Sequence, residues 1–153
     1  MQRLTIAAVI LIATMPLISC AGKRPTDLGV AAGTFTACPS SPNCVSSDAS
    51  DGAHRIAPLQ LAVAPATAWP AIREFVATGM PRTAIVTEQE GYLHAECRSA
   101  VLGFVDDLEL HLRPGTTVVA VRSASRLGHS DFGVNRGRVE DLRAALIKQG
   151  IVR

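Results

Sequence analysis

Apolar positions along this chain change their spacing several times, and each change marks an element. Residues 4–18 are almost continuously apolar, broken only by Thr5, Thr14 and Pro16. At about fifteen residues the run is short for a bilayer span, which takes about twenty, and it suits an export signal. Residues 21–37 then lack periodicity and read as a flexible linker rich in Gly, Ala, Thr and Pro. A strand is predicted at 55–61, with Pro58 suggesting an edge. A helix capped by Thr67 follows, with Pro70 in its first turn and Trp69, Ile72, Phe75 and Val76 on one stripe. Gly79 and Pro81 end it.

Alternation with a period of two returns at 83–88 and 92–97, a hairpin turning near Glu90-Gly91. A second hairpin runs through 103–112 and 117–125. If Leu112 faces Thr117, then Leu110 meets Val119 and Leu108 meets Val121, an apolar face that a one-residue slip would destroy. That register sets Asp107 opposite Arg122 on the outer face, an exposed pair worth about 0.2–1 kcal/mol. On the inner face it sets Asp106 opposite Ser123 and Phe104 opposite Ser125. A carboxylate on the core side must sit at the sheet's margin or find a strong partner. A last helix is predicted over 136–149, capped by Asn135, with Val139, Leu142, Ala145 and Leu146 inward and Gly150 ending it. The order β-α-β-β-β-β-α predicts an α+β domain: one antiparallel sheet of about five strands, with two helices on one face.

Leu17-Ile18-Ser19-Cys20 closes the apolar run as a lipobox does, with cleavage before Cys20 and lipid on its thiol. A signal anchor, or a signal cut elsewhere, is the plainer alternative. The organisation expected is a signal over 1–19, a lipidated tether over 20–37 and one globular domain over 38–153. Several acyl chains give stable anchoring where one does not. A coil of the tether's length would span roughly 20–25 Å. Ala21 after the cysteine resembles the outer-membrane sorting signal, which puts the domain at the cell envelope, facing the periplasm. Without Arg3 the chain carries 14 basic and 13 acidic side chains. That balance argues against nucleic acid as a partner.

Cys38 and Cys44 enclose two prolines and an Asn, and an oxidising compartment favours a bridge between them. The spacing fits neither a thioredoxin-like pair nor a zinc knuckle. Cys97 alternates with Leu93 and Ala95, as a buried free thiol would; a bridge from it to Cys38 or Cys44 is the competing assignment.

Residues 122–138 are dense in polar side chains and glycine. Together with Cys38-Pro39, Ser41-Pro42-Asn43-Cys44-Val45-Ser46-Ser47 and Phe104-Val105-Asp106-Asp107-Leu108-Glu109, they resemble the family called domain of unknown function 1499. The resemblance runs from about residue 38 to the C-terminus. It implies a shared fold and carries no reaction, so no catalytic residue follows from it.

Three readings of the polar cluster compete. Arg122, Arg126, Arg136 and Arg138, with Ser123, Ser125 and Asn135, lie near the start of the last helix and would suit an anionic ligand or a protein partner. Alternatively, Asp106, Asp107 and Asp131 neutralise those arginines and the cluster braces the fold, a purely structural role. A hydrolase or metal-dependent enzyme would use Asp106, Asp107, Asp131 and His129, or Ser125 or Ser130 beside His129, or Asp107, Glu109 and His111 as ligands. The usual nucleophile elbow is missing. The favoured expectation is a non-enzymatic envelope lipoprotein that binds a protein or an anionic ligand through the arginine-rich loop, with no cofactor and no metal. Arginines occupied by carboxylates and loop carbonyls would favour the brace, and unpaired ones the anion site. Asp106 within hydrogen-bond reach of His129 would favour the enzyme.

Overall fold

The computed structural model describes residues 21–153. The expected lipobox, with Cys20, lies outside the described residues. In chain order the elements are β1 (Val30–Ala31), β2 (Thr34–Phe35), β3 (Cys44–Ser46), β4 (Leu59–Gln60), α1 (Pro65–Glu74), a π-helical turn (Phe75–Gly79), β5 (Thr83–Gln89), β6 (Tyr92–Arg98), β7 (Val105–Leu112), β8 (Val118–Ser125) and α2 (Val134–Lys148).

The α+β class and the antiparallel pairing stand, but the single five-stranded sheet does not. Among the described residues a six-stranded sheet runs β3-β8-β7-β6-β5, with β4 also on β8, and β1–β2 form a separate two-stranded hairpin. The predicted strand at 55–61 shrinks to β4, flanked by bridges at Arg55 and Leu61. Its place on the margin of the sheet suits Pro58. β3 has three residues, two of them Cys and Ser, too short a run for periodicity to mark.

Leu93, Ala95, Cys97, Leu108, Leu110, Val119 and Val121 point to the face covered by both helices. Ala68, Ile72 and Val76 meet them from α1 and the π-helical turn, and Val139, Leu142 and Leu146 from α2. Cys97 is free and buried there. The register of β7 on β8 differs by two residues from the one expected. Leu112 faces Val119, Leu110 faces Val121 and Glu109 faces Arg122, while Asp107 faces Ala124. An even slip keeps every side chain on its own face, so apolar patterning alone cannot choose between the two registers. Pro114-Gly115-Thr116-Thr117 makes the turn, closed by Arg113 N–H donating to Val118 O at 2.9 Å, and Gly115 has φ +69°.

Both helices start elsewhere than expected. α1 begins at Pro65, whose fixed φ suits a first helical position, and Thr67 lies inside it. Pro70 is therefore interior. Gly79 ends the π-helical turn tightly against Phe75: a Cβ at position 79 would fall 2.6 Å from that ring. α2 starts at Val134 behind Gly133 (φ +83°), so Asn135 is not its cap.

The second sheet face is also covered. Residues 21–37, expected to be a free linker, lie across it as a strap. Phe35 is buried there with Tyr92 and Ala120. Arg113 holds the strap's far end: its guanidinium donates to Gly33 O and to both Asp48 oxygens at 2.6 and 2.7 Å, and stacks over Phe35 at 5.5 Å. No described helix is long and apolar enough to cross a membrane. The Cys38–Cys44 disulfide, with Cα atoms 5.6 Å apart, joins the strap's end to β3. Chain entropy gives so small a loop about 2 kcal/mol. A Cys38→Ser/Cys44→Ser variant should therefore lose about 2 kcal/mol of unfolding free energy in urea titrations, and an unchanged value would contradict the staple.

Candidate functional site

The polar residues form two networks, one on each face of the sheet, which meet along β8. The first lies under the strap. Alternation puts Tyr92, His94 and Glu96 of β6, Asp107 and Glu109 of β7 and Arg122 of β8 on that face, where the sequence pattern predicts solvent. Glu109 is fully buried. Its Oε2 accepts from Arg122 Nη1 at 2.9 Å, and its Oε1 accepts from the Tyr92 hydroxyl at 2.9 Å and from the Gly29 backbone N–H at 2.6 Å. Arg126 makes a forked pair with Asp107, Nε to Oδ2 at 2.8 Å and Nη2 to Oδ1 at 2.6 Å, and reaches Glu96 at 2.7 Å. His94 Nε2 sits 2.7 Å from Asp107 Oδ1. Glu96 also accepts from Arg24 of the strap at 2.6 Å and from Arg98 at 3.2 Å. The arrangement is a buried run of alternating charge. Arg122 Nε is the one deeply buried side-chain nitrogen or oxygen without a partner among the described residues.

Burial alone would push Asp107 and Glu96 up in pKa. The hydrogen bonds and charges of Arg126 outweigh that, aided by His94 at Asp107 and by Arg24 at Glu96, so both end below their ordinary values of 3.8 and 4.5. Arg126 is held protonated, chiefly by its bond to Asp107. Burial, then the adjacent Glu109, raises the Tyr92 phenol and keeps it a donor.

The second network joins the helix side of the sheet to α2. Asp106 does sit at the sheet's margin, and its Oδ2 takes Arg138 Nη2 at 2.5 Å. Arg138 Nη1 also donates to Ser123 Oγ and Asn135 Oδ1 at 2.9 and 2.6 Å. Asn135 is fully buried; its Nδ2 reaches Asn43 O at 3.1 Å, Ser125 Oγ at 2.9 Å and Asp131 Oδ2 at 2.9 Å. Asp131 does the capping expected of Asn135, accepting from the Gly133 and Asn135 amides at 3.0 and 2.8 Å. Burial opposes ionisation of Asp131, but those amide bonds prevail and lower its pKa. Asn43, just before β3, fastens the loop by donating to Gly128 O at 2.6 Å.

The four arginines expected at an anion site are thus split between the two faces, and each is engaged internally. Arg122 and Arg126 hold carboxylates beneath the strap, and Arg138 holds Asp106. Arg136 donates to Arg55 O and Ala53 O at 2.9 Å each. Asp106 is bonded to Arg138 rather than to His129, and Ser130 Oγ to the Phe132 amide. Asp107 and Glu109, offered as metal ligands with His111, are held by arginines, and His111 Nδ1 lies 3.2 Å from Arg113. Among the described residues no group of three or more His, Cys, Asp or Glu is placed to hold a metal ion.

The sequence reading missed Glu96, His94, Tyr92 and Arg24, took Glu109 only as a candidate metal ligand, and gave Asn43 no role beyond its place in the motif. One available signal was the pairing of acids at 107 and 109 on one strand with arginines at 122 and 126 beyond the hairpin.

A family model described as "Protein of unknown function (DUF1499)" matches residues 34–146. No curated protein and no solved structure matches the chain.

Removing one partner of a buried pair strands the other. Glu109→Gln should therefore destabilise the protein by about 3–5 kcal/mol in urea titrations. The lowered carboxylates stabilise the fold at any pH above their ordinary values and lose that contribution as pH falls through their folded values. Stability should decline most steeply below about pH 4, after a smaller loss as pH falls below 6.5, where burial and the adjacent Arg113 make His111 resist protonation in the fold. The urea midpoint measured against pH checks this, with Glu96→Gln flattening the acid limb.

Proposed function

The chain belongs to the DUF1499 family, and from its own geometry we propose that it is a non-enzymatic module of the bacterial cell envelope, held at a membrane through Cys20, whose arginine cluster braces the fold. The carrying observation is that Arg122, Arg126, Arg136 and Arg138 all end on carboxylates, side-chain oxygens or backbone carbonyls of the chain itself. Arg126 and Arg138 have few donors left for an external phosphate or carboxylate, and Arg122, whose Nε lacks a partner, is buried beneath the strap. The hydrolase alternative has less support, since Asp106, Asp107 and Asp131 serve as internal acceptors.

The envelope part of the reading rests on the run before Cys20 and on the Cys38–Cys44 bridge, which an oxidising compartment favours. The domain then faces the periplasm, and the outer membrane is the proposed membrane. Its role there is that of a folded surface for an envelope partner or of a structural component.

Two measurements test the reading. Cys20→Ser should abolish both a lipid-sized mass addition on the mature chain and its recovery with membranes; wild-type behaviour in the variant would overturn the anchor. Inorganic phosphate should leave the thermal midpoint of the purified chain unmoved. A site filled at a hundredfold its Kd would add about 2.7 kcal/mol, and such a rise would restore the anion site and sink the brace.

A further inference from the structure

One end of the domain carries most of its exposed large apolar side chains, and the chain enters at that same end. Val101 and Leu102, 90% and 61% exposed, stand in the loop between β6 and β7, with Phe104 beside them. Leu127 and Phe132, 46% and 96% exposed, stand in the loop between β8 and α2. The two loops are neighbours. Arg126 N–H donates to Val105 O at 3.2 Å, and Ser99, Ala100 and Val134 line one depression. Phe132 has φ +53°, a conformation rarely adopted by bulky residues, and it points its ring into solvent. Folding alone gives no return for such a placement.

The entry point of the chain adds direction. Gly22 packs on this end so closely that a Cβ there would lie 3.0 Å from Leu127 Cγ and Arg126 Cβ. Ahead of it come Ala21, Cys20 and the apolar run of residues 4–18. Lys23 and Arg24 follow at once, and Arg82 and Arg98 stand exposed at the matching ends of β5 and β6. Arg126 is paired with Asp107, and Glu96 is shared by Arg24, Arg98 and Arg126, so two exposed arginines at this rim divide one carboxylate, with Lys23 and Arg82 beside them. Asp106 is neutralised by Arg138, Asp131 is turned to backbone amides, and Asp141 lines the depression.

We infer that this end is a membrane-contacting surface. Val101, Leu102, Phe104, Leu127 and Phe132 enter the interfacial layer of the bilayer, and Lys23, Arg24, Arg82 and Arg98 lie against anionic headgroups. Apolar tips inside a basic collar match that layer, where apolar side chains sink to the acyl boundary and cations meet acidic lipid. The inference deepens the proposed anchoring and takes from it the side on which the bilayer lies. The other end of the sheet, with the turns at Glu90-Gly91 and Pro114-Gly115, faces away.

The test places an environment-sensitive dye on the full chain, expressed and processed in its own envelope, at Phe132→Cys, at Leu102→Cys and at Glu90→Cys as the distal control. Cys97 is buried and Cys38 is bridged to Cys44. Each protein is reconstituted into vesicles of phosphatidylethanolamine and phosphatidylglycerol containing a lipid-borne quencher. The expected result is blue-shifted emission and quenching at positions 132 and 102 several-fold above position 90, weakened when phosphatidylglycerol is replaced by phosphatidylcholine. Quenching at 132 and 102 no greater than at 90 overturns the inference, as does shielding in native envelope fractions but not in pure lipid, which would assign the patch to a protein partner. The mass of the same preparations separates the two readings. Lipid on Cys20 without selective quenching sinks the surface and leaves the anchor, and selective quenching without lipid does the reverse.

Discussion

A fully buried carboxylate on an otherwise ordinary strand governs this structure. Glu109 is ionisable, lies in the middle of a sheet and has no access to water. It is tolerable only while Arg122, Tyr92 and the Gly29 amide all bond to it. One of those partners comes from the facing strand, one from the neighbouring strand on the other side, and one from the strap. Tertiary structure on three sides is thus tied to the state of a single side chain. Replacing such a network with apolar residues would often cost little, so its value lies in specifying one arrangement. For the β7–β8 hairpin that specification is concrete. Two registers bury the same leucines and valines, and only the observed one sets Glu109 opposite Arg122.

β8 transmits this order across the sheet. Arg122 points to the strap and Ser123 to α2, so adjacent residues belong to different networks. Asn43 O accepts from the Ser125 amide and the Asn135 side chain, joining the segment before β3 to the start of α2. The disulfide holds that segment from its other end. Displacement of any one of these pieces leaves a buried polar group without its bond, at the full cost of its desolvation.

Much of this was legible in the residues, and the failures share a cause. Alternation located β5 to β8, helical spacing located both helices, and the short cysteine loop marked the bridge. Asp106 was identified as needing a margin or a partner and has both. Asp107 and Arg122 were assigned to an exposed outer face because alternation reports the polarity of a face without reporting what covers it. Their cover comes from residues 24–35, whose glycines and alanines give no periodic signal. The helix starts were misplaced because Pro65 begins α1 and Asp131 caps α2 from three residues ahead of it, while Thr67 and Asn135 are also good capping types and stand nearer the apolar stripes. Long-range pairs such as Arg24–Glu96 and Arg136–Arg55 depend on topology, which local pattern does not encode.

Gly22 resting on Leu127 has a mechanical consequence. A coil of the strap's length would have let the domain swing freely around residue 20; instead a single residue, Ala21, separates position 20 from the packed body. Among the described residues the domain therefore has almost no free chain ahead of its packed body. Under the anchoring proposed above, the domain would ride close to its point of attachment, with about the height of its own fold as its reach.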